Sequence, residues 1–238
     1  MLRLLPLLAL LLLCAAQPAR TQQAARQLQE DVAREAARRE LWFTIRNTEL
    51  LPGWSVGRYL DEFAPPGLLA DTVGRAEIIG GPRWLNADVC QFHLQLDGEI
   101  ASDLLVEVAR RGGPFEPADV RRASRDWLAR PFVATGMAIS VDALTQIEPP
   151  VGAVLWRAVS KADRVAAVEA AHRKAVADAN AVVDDAARHP VSRLSFFDEG
   201  GVACVEVELV LPETGAAFVG MAEVDRTPGD ARPPADPR

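Results

Sequence analysis

Alternation of apolar and polar residues predicts two β-hairpins in this chain. The first covers residues 75–96, RAEIIGGPRWLNADVCQFHLQL, with its turn at residues 86–88. The second covers residues 191–211, VSRLSFFDEGGVACVEVELVL, with its turn at residues 198–201. The apolar rows of their second strands are Cys90, Phe92, Leu94 and Leu96, and Val205, Val207, Leu209 and Leu211. A period of two is typical of a strand that buries one face and exposes the other.

Apolar residues at spacings of three and four predict a helix before each hairpin. The first helix is expected at residues 21–47 and the second, rich in alanine, at residues 155–188, with a further helix at residues 99–110. So much alanine indicates a close approach of helix to sheet. The predicted fold class is therefore α+β, with two helix-plus-antiparallel-hairpin units that form a pseudo-repeat and pack alanine-rich helices on a small sheet or sheets.

Breaks in these patterns predict the domain organisation. A Gly-Gly-Pro segment at residues 112–114 separates a helix–hairpin–helix unit at residues 21–112 from a strand–helix–hairpin unit at residues 115–211. Residues 212–238 end in TPGDARPPADPR and are predicted to form a disordered tail.

The N-terminal residues predict export. Residues 1–16 place one arginine before a leucine run and end in small residues, which is the pattern of a secretory signal peptide cleaved after Ala16. Lipidation of Cys14 is the alternative, but a lipoprotein signal has small residues where this chain has Leu12 and Leu13. We therefore expect a periplasmic or secreted protein rather than an outer-membrane lipoprotein, with membrane anchoring only if Cys14 is lipidated.

The charge of the chain narrows the classes of partner. The formal net charge is -7, and the acidic residues are interspersed rather than blocked. Nucleic acid and anionic membrane surfaces need a basic patch, so neither is expected as the main partner. Arg34, Arg38 and Arg39 alternate with carboxylates on the first helix, which indicates solvated ion pairs rather than a phosphate-binding face. Envelope proteins and a second copy of this chain stay open as partners.

The two cysteines of the predicted mature chain lie on strands. Cys90 belongs to an apolar row, whereas Cys204 shares its face with Glu206 and Glu208. One thiol should therefore point inward and the other outward. This parity argues against a disulfide between them.

Candidate chemistry is sparse in the sequence. His93 lies three residues from Cys90, on the opposite face of a strand, and this spacing does not suit a metal pair. His172 and His189 are predicted to be surface or helix-capping residues. No metal-binding motif, nucleophilic serine elbow or phosphate-binding loop is identified. The sequence therefore predicts no cofactor and no catalytic residue.

Segments in both halves of the chain carry a resemblance to a known family. They are residues 33–41 (AREAARREL) with Ile45, then residues 76–79, 90–96, 133–136, 167–183 (AVEAAHRKAVADANAVV) and 205–211. In these segments the chain resembles the envelope lipoprotein family that includes the flagellar assembly protein FlgP. The resemblance implies a helix packed on a small curved sheet, in a non-enzymatic unit that assembles in the cell envelope. It implies no catalytic residues.

Three hypotheses for the function follow. The leading one is a non-enzymatic exported envelope protein, an assembly or binding component that acts through sheet or helix surfaces. The second is a periplasmic small-ligand-binding module with an aromatic wall formed by Trp54, Tyr59, Phe63 and Trp84. The third is an exported hydrolase with a site assembled from dispersed polar residues, namely Asp61, Glu62, His93 and Glu206.

Overall fold

The computed structural model describes the backbone of residues 5–224 and the side chains of residues 22–224. The side chains of Cys14 and of Ala16, at the predicted cleavage site, lie outside residues 22–224. Helices are combined with a six-stranded sheet and a two-stranded sheet, so the predicted α+β class is confirmed. Within the described residues, one compact unit contains residues 5–138 and 212–215, and the other contains residues 139–211 and 216–224.

The first unit begins with a long helix and a group of short elements. Helix α1 (Leu5–Asn47) is followed by the strands β1 (Glu49–Leu51) and β2 (Trp54–Ser55), which pair with each other. The helices α2 (Val56–Phe63) and α3 (Leu68–Val73) come next.

The remainder of the first unit contains a three-stranded part of the larger sheet. The predicted hairpin is confirmed as β3 (Glu77–Trp84) and β4 (Val89–Leu96), and the predicted helix that follows is α4 (Gly98–Arg110). Helix α5 (Pro117–Ala123), a 3-10 helix (Arg125–Ala129) and β5 (Phe132–Ile139) complete it.

Helix α1 packs its apolar face on strand β4. Leu41 and Ile45 are buried, and so is the predicted apolar row of β4. Gly136 of β5 brings the helix and the strand into backbone contact: a Cβ there would overlap the Ala37 amide nitrogen and the Ala33 carbonyl oxygen. Alanines on the helix and a glycine on the strand therefore set the short distance between these two layers.

The boundary between the units falls after Ala138 rather than at the glycines of residues 112–113. Those glycines form the turn between α4 and α5, where Gly112 has a φ of 113°. The two helices belong together, because the buried hydroxyls of Ser102 and Ser124 lie 2.6 Å apart. Residues 132–138 of β5 belong to the first unit, in which Gly136 packs against α1.

The second unit repeats the helix-and-strands arrangement. A 3-10 helix (Val141–Gln146), α6 (Val154–Arg157), α7 (Lys161–Ala179) and another 3-10 helix (Ala186–Arg188) precede its strands. The strands are β6 (Val191–Glu199), β7 (Val202–Val210) and β8 (Ala217–Val224), so the second predicted hairpin is confirmed and extended by a third strand.

The single helix predicted at residues 155–188 is divided. Ser160 caps the N-terminus of α7, because its hydroxyl oxygen accepts a hydrogen bond from the Asp163 amide at 3.2 Å. The chain leaves the helix after Ala179, and the Asn180 side-chain oxygen accepts a hydrogen bond from the Ala186 amide at 2.9 Å. Side chains that compete for backbone hydrogen bonds thus interrupt a pattern that looks continuous in spacing.

Strand β8 lies within residues 212–238, which were predicted to be disordered. Gly220 and Ala222 are buried in this strand, and a Cβ on Gly220 would overlap the Ala171 carbonyl oxygen and lie 2.6 Å from the Ala175 nitrogen. Small residues gave this strand a weak apolar pattern, although they allow α7 to pack closely on it. Residues 225–238 lie outside the described part of the chain.

A glycine in the third strand therefore meets the alanine-rich helix in both units. Gly136 serves α1 and Gly220 serves α7 in the same way. Each unit thus combines a helix with three neighbouring strands of the sheet. In the first unit α4, α5 and a 3-10 helix separate β4 from β5, whereas β6, β7 and β8 follow one another directly in the second.

Helix α6 fixes a large side chain in the second unit. Trp156 is fully buried, with its ring 5.0 Å from the ring of Phe196. Its indole N–H donates to the carbonyl oxygens of Cys204 at 2.7 Å and Phe197 at 3.2 Å. Phe197 and Cys204 are paired across β6 and β7, so one side chain binds both strands.

The larger sheet follows the sequence order β3-β4-β5-β6-β7-β8, with Ile139 of β5 paired to Val191 of β6. The edge strand β3 has two register shifts and contains Pro82, which has no amide hydrogen to donate. At the other edge, Lys174 of α7 donates to the Met221 carbonyl oxygen of β8 at 2.7 Å. Within the described residues, no helix carries an apolar stretch long enough to cross a bilayer.

Candidate functional site

The aromatic residues predicted to form a wall fall into two groups. Trp54, Tyr59 and Phe63 pack together, with ring centroids 5.7 Å apart for Tyr59 and Phe63 and 6.0 Å for Trp54 and Phe63. Phe115 joins this cluster at 5.4 Å from Trp54. The fourth residue, Trp84, lies on β3 beneath the guanidinium of Arg26. Because Tyr59 is fully buried, the three-residue group is part of the hydrophobic core.

The residues predicted for a dispersed hydrolytic site have separate partners. Asp61 pairs with Arg46, and Glu62 pairs with Arg58 at 3.2 Å. The ring nitrogen Nδ1 of His93 lies 2.8 Å from the Thr135 hydroxyl. Glu206 is paired with Ser195 across β6 and β7 in the second unit. Each of these four residues therefore has a different partner.

Residues 53–57, GWSVG, have the G-x-S-x-G spacing of a nucleophile elbow. The prediction that the sequence contains no such motif overlooked these residues. Ser55 has ordinary extended backbone angles, φ −79° and ψ 158°, and caps the N-terminus of α2. Its hydroxyl oxygen accepts a hydrogen bond from the Arg58 amide at 3.2 Å. An elbow serine occupies a sharp, strained turn, so this serine is a helix cap.

Two of the histidines, which were predicted to be surface or helix-capping residues, are at least partly buried. His189 is completely buried, because α7 ends at Ala179 and the 3-10 helix at Ala186–Arg188 carries the chain into the base of β6. His172 is half-buried on α7, and burial lowers its pKa. Its Nε2 atom has no hydrogen-bond partner within the described residues. Residues 22–224 contain no group of three or more side chains suited to a metal ion.

Both cysteines are free and buried. Cys90 lies in the apolar row as predicted, and Cys204 is buried as well, although its face of the strand also carries Glu206 and Glu208. Strand β7 has a neighbour on each side, so Cys204 stands between its cross-strand partners Phe197 and Glu223. These larger side chains cover the small thiol.

Low reactivity of both thiols is expected in the folded protein. Burial, assisted by Glu30, raises the pKa of Cys90 to about 11. Burial, together with Glu223, Glu199 and Asp198, also raises the pKa of Cys204. Because the thiolate is the reactive form, alkylation at mildly alkaline pH should be at least about a hundredfold slower in buffer than in denaturant. Mass spectrometry after timed iodoacetamide treatment checks this, and rapid labelling of the native protein would contradict it.

A groove beside Trp42 is the candidate functional site, and it consists of two adjoining depressions in the first unit. One, of about 440 Å³, lies between α1 and residues 60–70, and the other, of about 370 Å³, lies between α1, α3 and residues 214–215. Both are lined by Trp42 and Ala70, so they meet there. We call this feature the Trp42 groove. Each depression has a volume in the range of small-molecule sites and is open to solvent on one side.

The local sequence explains why the Trp42 groove is open. Leu41 and Ile45 face the core, and Trp42 follows at the margin of that apolar face, where it is half-buried. Pro65 and Pro66 prevent α2 from continuing, and α3 starts after Gly67, which has a φ of 85°. The chain therefore turns away from α1 and leaves a gap along Trp42.

Arginine–carboxylate pairs line the Trp42 groove. Arg46 binds both carboxylate oxygens of Asp61, one of them at 2.9 Å, and its guanidinium lies 4.8 Å from the Trp42 ring. The Arg46 hydrogen bond lowers the pKa of Asp61. At the other end, Arg38 Nη1 lies 3.1 Å from the Glu35 carboxylate. Arg39 also lines that end, so three arginines face two carboxylates.

Sequence reasoning missed this site. Arg38 and Arg39 were assigned to a solvated face, and the pairing of Arg38 with Glu35 agrees with that assignment. The feature of the sequence that could have indicated the site is Trp42. It is an aromatic residue next to the buried Leu41 and one helical turn from Arg38 and Arg39. The opposing wall comes from residues 60–70, whose approach to α1 is a tertiary contact that helical spacing does not reveal.

Comparisons with protein-family models, with curated proteins and with solved structures give no match to this chain.

Proposed function

We propose that this protein is a non-enzymatic, exported binding component of the cell envelope, and that it holds a small ligand in the Trp42 groove. The carrying observation is the pair of adjoining depressions that share Trp42 and Ala70. A half-exposed tryptophan with apolar walls and a few charged groups is the usual composition of a ligand site. This assigns the binding role to a helix surface rather than to the sheet.

The charged groups of the groove favour binding over catalysis. Asp61 is held ionised by Arg46, which lowers its pKa further from neutrality. A general acid or base works best with a pKa near the pH at which it acts. Glu35 is likewise paired, with Arg38. These carboxylates orient the arginines, and the arginines and Trp42 are the groups that a ligand would meet.

Export is supported by the leucine run of residues 1–16 and is tested by the mass of the mature N-terminus. We expect the protein isolated from its native host to begin at Gln17. An acylated N-terminus at Cys14 would instead make it a membrane-anchored binding protein. A chain that retains Met1 to Ala16 and stays in the cytoplasm would contradict the proposal of export.

Binding is tested by native mass spectrometry of the protein isolated from host envelope fractions without detergent. The wild-type protein should carry a non-covalent small-molecule adduct. Ala70 is exposed and lines both depressions, so Ala70→Phe should fill the groove and remove the adduct. Ala177→Phe is the matched control, since Ala177 is an exposed helical alanine on α7. Identical spectra for Ala70→Phe and the wild type would contradict the assignment of the groove.

A further inference from the structure

We propose that the ligand of the Trp42 groove is a neutral sugar, held as a pyranose ring in the larger depression by the Arg46–Asp61 pair. This inference rests on the proposed function and names the class of ligand and the part of the groove that it occupies. It is carried by the composition of this depression, in which one ion pair lies among apolar walls.

The larger depression has no net charge of its own. Within the described residues, Arg46 and Asp61 are its two charged lining residues, and they pair with each other. An anionic ligand would meet the Asp61 carboxylate as well as the Arg46 guanidinium, and a cationic ligand would meet the same two charges. Either ligand would have to compete with a pair that is already formed. The depression therefore favours a neutral ligand.

The ion pair keeps unused capacity for hydrogen bonds. Arg46 donates to Asp61 through Nη1, at 2.9 Å from Oδ1, and through Nη2. A guanidinium has five N–H donors and a carboxylate has about four acceptor positions, so both groups can make further hydrogen bonds. Both are accessible, since the side chain of Asp61 is 56% exposed and that of Arg46 is 29% exposed. A hydrocarbon that covered this pair would remove its water without replacing the hydrogen bonds, which costs free energy.

Neighbouring hydroxyl groups match the pair better than an amide does. Because Arg46 and Asp61 meet side by side in a bidentate contact, the remaining donors and acceptors border each other. Two hydroxyls on adjacent ring carbons lie on one edge of a sugar, and each can both donate and accept. In a trans peptide group the N–H and the C=O point in opposite directions, so one amide cannot reach both partners.

The remaining walls suit the carbon skeleton of a sugar ring. Trp42, Pro65 and Leu68 contribute apolar surface to the depression. The ring of Trp42 is held by Arg46, whose guanidinium lies 4.8 Å from the ring centre. The C–H groups of a pyranose can pack on these side chains and bury apolar area. The volume of about 440 Å³ is large enough for one sugar ring with space for a second ring linked to it.

Titrations of the ligand-free full-length protein, followed by saturation-transfer NMR, test the proposal. The neutral sugars are glucose, maltose, cellobiose and N,N′-diacetylchitobiose, and the comparison ligands are cyclohexanol, N-acetylglycinamide, glucosamine and glucuronate. At least one neutral sugar should bind at least about fivefold more tightly than each comparison ligand. Equal affinity for glucose and its disaccharides would indicate a free monosaccharide, and tighter binding of a disaccharide would indicate a longer glycan. Both results support a neutral sugar.

Asp61→Asn should weaken the binding of that sugar about tenfold, because neutral hydrogen bonds replace charge-assisted ones and Arg46 loses its carboxylate partner. The same variant should bind glucuronate more tightly than the wild type does, an effect that a merely structural change would not produce. Glu62→Gln is the matched control, since Glu62 is the next residue, pairs with Arg58 at 3.2 Å and does not line the depression. It should bind the sugar as the wild type does.

Two further variants test the location of the site. Ala70→Phe should weaken sugar binding, because Ala70 lines the depression, and Ala177→Phe on α7 should leave it unchanged. Circular dichroism of each variant confirms that it is folded. Sugar binding that is equally strong in Ala70→Phe and in the wild type would overturn the placement in this depression.

The outcomes separate the ligand class from the proposed function. The sugar proposal is overturned if a comparison ligand binds as tightly as the best neutral sugar, or if Asp61→Asn has no larger effect than Glu62→Gln. If no sugar binds but the envelope-derived protein still carries an adduct that Ala70→Phe removes, the ligand class is wrong and the binding function stands. If neither sugar binding nor an adduct is found, both proposals fall.

Discussion

Replacing Gly136 with alanine is expected to lower the free energy of unfolding by about 3 kcal/mol or more. The added methyl group would overlap the Ala37 amide nitrogen and the Ala33 carbonyl oxygen and lie 2.7 Å from the Ala37 Cα. All three atoms belong to the backbone of α1, so no side-chain rotation can relieve the contact. The helix must move away from β5, which also loosens its packing on β4.

Gly220→Ala should have an effect of similar size in the second unit, where the methyl group meets the Ala171 and Ala175 backbone of α7. Gly152→Ala is the control, because a Cβ at Gly152 has no heavy atom within 4 Å and should change stability by about 0.5 kcal/mol or less. Urea unfolding followed by far-ultraviolet circular dichroism measures all three variants. If Gly136→Ala matched Gly152→Ala, the backbone contact between α1 and β5 would be disproved.

Truncation of Trp156 should have the second large effect on stability. Trp156→Ala removes a completely buried indole and is expected to cost about 3–5 kcal/mol. Trp156→Phe keeps most of the apolar volume but leaves the carbonyl oxygens of Cys204 and Phe197 without their shared donor. Because buried acceptors that lose a partner are costly, Trp156→Phe should still lose about 1–3 kcal/mol.

Comparing Trp156→Ala with Trp156→Phe separates the contribution of apolar burial to stability from that of the indole hydrogen bonds. Trp127→Phe serves as a reference, since Trp127 is only half-buried and should lose about 1 kcal/mol or less. Guanidinium unfolding monitored by circular dichroism gives the differences directly. A Trp156→Phe variant as stable as the wild type would show that the indole contributes through its volume alone.

Local sequence was a good guide to the strands that have one buried and one exposed face. The alternation around Cys90 and Phe92 predicted both the hairpin and the inner row of β4, since period-two patterns depend only on the strand itself. The same rule did not predict the burial of Cys204, because burial in a central strand also depends on the neighbours on each side. It failed for β8, where Gly220 and Ala222 serve close packing and carry little apolar signal.

Local sequence patterns did not predict the features that form where distant segments of the chain meet. Gly136 was assigned to a strand without its contact to α1, which lies about a hundred residues earlier in the sequence. The Trp42 groove likewise requires α1, residues 60–70 and residues 214–215 to meet. Helical spacing placed Arg38 on a solvated surface and was consistent with its ion pair, but only tertiary structure shows that this surface is concave.

Lys174, at the outer edge of β8, affects whether a strand from another molecule can be added to the sheet. A sheet polymerises when an unpaired strand offers its backbone groups to the next molecule. On β8 the ammonium group of Lys174 already engages the Met221 carbonyl, and on β3 the register shifts and Pro82 interrupt the ladder. Both margins therefore resist the addition of another strand. Fibre-like growth by addition of strands at these two edges is disfavoured.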